Sequence, residues 1–131
     1  MTKQNQKDLK IFVGYDSREH IAFHTCKESI MTHASVPVDI QPIKLKDVKK
    51  NGLYWRDTDK LSSTEFTFSR FLVPELCDFK GWALFIDCDF IALTDIKELF
   101  DHCNEKYALM CAQHDYTPVS YTHLRAHETS I

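Results

Sequence analysis

Glycine is scarce in this chain of 131 residues, with three in all, and neither a P-loop nor a GxGxxG pattern occurs. No apolar run approaches the roughly 18 residues that a membrane span needs. The opening MTKQNQKDLK is polar and lacks the apolar centre of a secretory signal. A basic excess is missing too. Sixteen Lys and Arg against nineteen Asp and Glu leave a formal charge of -3, which argues against a non-specific nucleic-acid binder. It does not exclude a phosphate ligand, because metal, Arg and backbone N–H groups can hold phosphate locally. No CxxC pair and no Ser/His/Asp set is present. The five cysteines, Cys26, Cys77, Cys88, Cys103 and Cys111, are odd in number and scattered, so free thiols in a reducing cytoplasm are expected.

What is present is ordinary globular usage, with 44% hydrophobic and 27% charged residues. Collagen, coiled coil and wholesale disorder are excluded, and the length fits one small domain or part of a larger one. Lys10–Tyr15 (KIFVGY), Trp82–Ile86 (WALFI) and Tyr107–Ala112 (YALMCA) are short apolar runs that predict buried strands. Asp16 and Glu19 fit a capping pattern that opens a helix from Ser17 to about Thr32. Val36–Leu45 alternates and holds two prolines, which predicts an edge or irregular strand. Lys46–Lys60 is polar, with Asn51-Gly52 as a turn signal, and predicts a loop. Ser62-Ser-Thr-Glu65 is a second capping box, opening a helix that Pro74 should end or kink near Val73. Thr94 can cap a short helix over Asp95–Phe100. Strands alternating with helices predict an α/β fold with a mainly parallel sheet covered on both faces.

Asp87 and Asp89 carry the strongest chemical signal. Residues i and i+2 of a strand point to one side, and at a strand's C-terminal end they face the crevice where open α/β sheets bind ligands. Two adjacent hard oxygen ligands attract Mg2+ or Mn2+, which can share a diphosphate. Arg70 lies on the polar face of its predicted helix, with Thr67 and Ser63, where a guanidinium can pair with phosphate.

Three linked segments, Phe68–Leu76 around Arg70, Ala83–Asp89 and Asp95–Phe100, resemble glycosyltransferase family 8 and its bacterial relatives. The segment Ile11-Phe-Val-Gly-Tyr-Asp16 is similar to that family's first strand and nucleotide loop. The resemblance covers about Lys10 to Pro118. It implies a GT-A fold, Rossmann-like, that is incomplete at its C-terminus. It also implies a metal-dependent hexosyltransferase taking a nucleotide sugar, with UDP as the expected nucleotide, and a glycan or lipid-linked acceptor. Asp87 and Asp89 would hold Mn2+ or Mg2+ against the donor diphosphate, and Arg70 would add charge stabilisation. Gly14, Tyr15, Asp16, Arg18, Arg70, Asp87 and Cys88 would line the donor site. Asp16 would contact the nucleoside, with the N-cap as its other reading. Arg18 stands where the family often places an aromatic ring to stack on the base. No membrane span is expected; peripheral contact with a membrane stays open.

The alternative activity is a haloacid-dehalogenase-type phosphatase, whose Asp-x-Asp also follows an apolar strand, although that motif usually opens its domain. A further alternative is a non-catalytic fragment that binds the nucleotide sugar. His20 and His24, spaced i, i+4, are read as exposed helix residues. Asp57 and Asp59 are read as loop acids. Tyr54-Trp55-Arg56, His114 and Asp115 are held loosely as possible site neighbours. Val119–Thr129 (VSYTHLRAHET) resembles the translation of a sequencing-library adapter, which implies that the native sequence breaks off near Pro118. The pair His123 and His127 is set aside on that ground. The expected organisation is a polar tail over 1–9, a partial nucleotide-sugar-binding domain over 10–118 and a non-native tail over 119–131.

Overall fold

A computed structural model of the chain describes residues 7–57, 64–113 and 115. Strand β1 (Leu9–Gly14) lies at the centre of a three-stranded parallel sheet in the order β2-β1-β3. Strand β2 (Val38–Ile43) pairs along its whole length, from Leu9 opposite Val38 to Gly14 opposite Ile43. Strand β3 (Ala83–Ile86) pairs on the other side, from Lys10 opposite Ala83 to Val13 opposite Ile86. Pro42 has no N–H to give to a ladder, and it sits in the edge strand β2, where that loss is tolerated.

The lack of polar alternation in β1 follows from its position. Ile11 and Val13 face helix α1 (His20–His33), where they meet Phe23, Cys26 and Ile30. Phe12 points to the opposite face and packs with Ile43, Val48 and Cys77. Both faces of the central strand are therefore covered, and each large side chain buried there contributes about 1.5–3 kcal/mol. The chain thus forms a small α/β domain with a parallel, Rossmann-like sheet.

Four local expectations are corrected. Lys46–Lys60 is not all loop: a short helix α2 (Leu45–Lys50) buries Val48 against the sheet, with Leu45 packed beside it, and Asn51-Gly52 then turns the chain with Gly52 at φ +74°. The helix expected to end near Pro74 is a 3-10 segment, Ser69–Leu72, and Pro74 lies in the first turn of the short helix α3 (Val73–Leu76). A first-turn proline loses no hydrogen bond, so it starts the α turn rather than stopping it. The last short helix, α4, covers Lys97–Phe100, and Asp95 supplies the side-chain oxygen that accepts from the Lys97 N–H at 3.0 Å. Thr94 instead reaches the Glu98 carboxylate at 3.2 Å. Finally, Tyr107–Ala112 is no strand and is exposed, with Leu109 at 81%. Among the described residues no neighbour pairs with it, and an unpaired apolar run gains nothing from extending.

Candidate functional site at the β1/β3 crevice

The chain leaves β1 for β2 on one side and returns to β3 on the other. Strand order therefore reverses between β1 and β3, and beyond their C-terminal ends lies the place where open α/β sheets form a ligand crevice. Gly14, Tyr15 and Asp16 leave β1 there, and Asp87, Cys88 and Asp89 leave β3. Gly14 is required by packing: a Cβ at this position would lie 2.6 Å from Cδ2 of the buried Phe66 ring.

Asp16 is 1% exposed and forms a knot of four hydrogen bonds. Its Oδ1 accepts from the Arg18 backbone N–H at 3.0 Å and from Arg18 Nε at 2.9 Å. Its Oδ2 accepts from Arg18 Nη2 at 2.6 Å and from the Glu65 backbone N–H at 3.2 Å. The bonds from the Arg18 side chain hold the carboxyl down at about 2, against the opposing effect of burial. The same contact raises the Arg18 guanidinium above its ordinary value. Glu65 answers in the other direction, accepting from the Ser17 backbone N–H at 3.1 Å and from the Ser17 hydroxyl. The N-cap expectation for Asp16 thus describes its geometry, and the carboxylate expected to meet a nucleoside is already engaged within the protein.

The acidic pair differs. Asp87 is half-buried and Asp89 exposed, while Cys88 between them is buried. Burial pushes the Asp87 carboxyl above the ordinary range, Arg70 opposes this, and Asp89 adds to it. No ion pair within 4.0 Å neutralises either acid among the described residues. Arg70 is half-buried, with Nε donating to the Phe66 carbonyl at 3.3 Å and its guanidinium 5.5 Å from the centres of both the Phe66 and Phe85 rings. Aromatic faces and one carbonyl hold the cation beside the pair without neutralising it. Cys88 turns away from the crevice and donates its S–H to Glu19 at 3.3 Å. Burial and the Glu19 carboxylate push its thiol up to about 12. Only its backbone is placed to meet a ligand.

Two acids offer too few ligands for a protein-made cage, and no group of three or more His, Cys, Asp or Glu is assembled among the described residues. Mg2+ and Mn2+ accept such a site, because water and phosphate oxygens complete their shell. The fit is therefore that of a cation carried with a phosphorylated ligand.

Tyr15 packs edge-on against Phe23 and His20, and Lys44 Nζ lies 4.9 Å above its ring. Arg56 stacks 4.0 Å from the Phe68 ring centre, while Trp55, Asp57 and Asp115 are exposed. Asp59 and His114 lie outside the described residues. A cavity of about 310 Å³ lies at the opposite end of the strands, where they begin, lined in part by Leu9, Lys10 and Trp82, away from the acidic pair. Glu19, Glu65 and Ser69 carry weight that the sequence reading did not assign. The first two belong to capping patterns. Ser69 is fully buried, its hydroxyl has no hydrogen-bond partner among the described residues, and only its place next to Arg70 in sequence hints at it.

No family model matches the chain, and no solved structure matches it. Protein CDI of Arabidopsis thaliana is 56% identical over 117 residues, which covers 89% of this chain and 45% of that relative. The chain therefore spans less than half the length of the curated relative it matches. This similarity corrects the expected activity: so similar a protein does not bear the name of a glycosyltransferase, and the expected hexosyltransferase activity is withdrawn. The phosphatase alternative gains no support either. No helix among the described residues is long and apolar enough to cross a membrane.

Proposed function

We propose that the β1/β3 crevice is a binding site for a nucleoside-diphosphate-type ligand carried with Mn2+ or Mg2+. The reading rests on one observation: two acids at the strand-order reversal, with no ion pair to a cation among the described residues, and Arg70 parked beside them on two aromatic rings. Asp87 and Asp89 take the metal, and the metal offsets their repulsion of the ligand's phosphates. Arg70 swings from the Phe66 carbonyl to a phosphate oxygen, which fits a guanidinium better than a lone carbonyl does. Glu19, through the Cys88 thiol, fixes the turn that carries both acids. The GT-A form of the sheet remains an inference from motif resemblance, and no sugar transfer enters the reading. The five free cysteines fit a reducing compartment, and we infer a cytoplasmic location on that ground.

Calorimetric titration with UDP in the presence of Mn2+ tests the proposal. Binding should require the metal and disappear in Asp87→Ala and in Asp89→Ala. Arg70→Ala should weaken it by about 1.5–3 kcal/mol. Metal-dependent binding that survives both aspartate substitutions refutes the site.

A further inference from the structure

His20 and His24 lie one turn apart at the start of α1, and both are exposed. Their rings meet edge to face, with centroids 4.4 Å apart, and their Nε2 atoms are 3.0 Å apart. Two ring nitrogens at this distance are within hydrogen-bond reach, one ring donating and the other accepting. The far side of His20 is also held: its Nδ1 lies 2.7 Å from the Tyr15 hydroxyl, at the end of β1. Buried Phe23 packs edge-on against both Tyr15 and His24 and so supports the arrangement from below.

We propose that His20 and His24 form a two-histidine site for a transition-metal cation of the Zn2+, Ni2+ or Cu2+ type, separate from the acidic pair. Zn–N bonds of about 2.0–2.1 Å at a tetrahedral angle place two nitrogens about 3.3 Å apart. The observed gap needs to open by only a few tenths of an ångström. On binding, the ring that carried its proton on Nε2 changes tautomer, its proton passing through solvent to its own Nδ1, so that both rings stay neutral and both Nε2 lone pairs converge on the cation. His20 then keeps its proton on Nδ1 and donates it to the Tyr15 hydroxyl. Metal-bound histidines use such an outer partner to fix ring orientation and tautomer. Imidazole nitrogens select these metals over Mg2+, which prefers oxygen. The protein supplies two positions, and water or a partner's side chain fills the others.

The test is titration of the full chain with Zn2+, followed by the imidazole ring resonances in long-range 1H–15N spectra. The His20 and His24 signals should move together and saturate at one equivalent. His20→Ala and His24→Ala should each weaken that event at least tenfold. Tyr15→Phe should weaken it severalfold while circular dichroism shows the helix intact. His123→Ala/His127→Ala and Asp87→Ala should leave the His20 and His24 response unchanged. Ring signals that ignore Zn2+ up to millimolar concentration overturn the site, as does an affinity unaltered by His24→Ala. A response confined to His123 and His127 overturns it equally.

Discussion

Removing the Asp16 carboxylate should unfasten the start of the β1–α1 connection from the segment around Glu65. Asp16→Ala strips the acceptor from two backbone N–H groups and from the Arg18 guanidinium at once. The carboxyl's fall from 3.8 to about 2 corresponds to at most about 2.5 kcal/mol. Arg18's side chain is 67% exposed, so solvent screening reduces the ionic part to about 1 kcal/mol. The N-cap and the Glu65 hydrogen bond add about 1 kcal/mol each and partly overlap with it, for an expected loss of about 2–3 kcal/mol. Urea unfolding at pH 7, followed by circular dichroism, measures this directly. The pH dependence gives an independent check. The folded carboxyl titrates below the unfolded one, so its contribution is complete above about pH 4 and is lost as pH falls toward 2. The unsubstituted chain should therefore lose more stability than Asp16→Ala between pH 5 and pH 3. Equal acid slopes, or a loss at pH 7 under about 0.5 kcal/mol, would refute the role given to this knot.

Gly14→Ala forces a methyl against the buried Phe66 ring and should cost about 1–3 kcal/mol in the same unfolding assay, with Phe66→Leu in the same chain recovering part of it. Cys88, with its thiol held up near 12, should resist alkylation at pH 8 while exposed Cys111 reacts, as mass mapping of the labelled chain would show. Above about pH 9 the unfolded Cys88 thiol ionises while the folded one stays neutral, so stability should fall with rising pH. Cys88→Ala should flatten that fall in urea titrations between pH 8 and pH 10.

How much of this was legible beforehand depends on the range of the interaction involved. The β1 run was readable because a central parallel strand needs apolar residues on both faces, and β3, at the edge of the described sheet and half-buried, was readable from the short apolar run ALFI. Asp16 was readable as a cap because its partner Arg18 is two residues away. Its bond to Glu65 spans 49 positions and leaves no local trace. Helix α2 was missed because six residues are too few to show a helical period, and only Leu45 and Val48 mark its apolar side. The strand expected at Tyr107–Ala112 shows the opposite error. YALMCA has the composition of a buried strand, but a strand needs a neighbour, and a composition cannot supply one.

The corrected activity and the proposed site separate two inferences that the Asp-x-Asp pattern invites together. Where the acids stand follows from chain geometry: β3 ends at Ile86, the next residue turns, and Cys88 plugs into the core beside Glu19. The expectation that Asp87 and Asp89 share one side of a strand is corrected: both lie past the end of β3, in a turn closed by the Phe90 N–H donating to the Asp87 carbonyl at 3.4 Å, with Asp87 half-buried and Asp89 exposed. The proposed cation and its anionic ligand are argued from the placement of the pair, whereas a reaction does not follow from the fold that carries it.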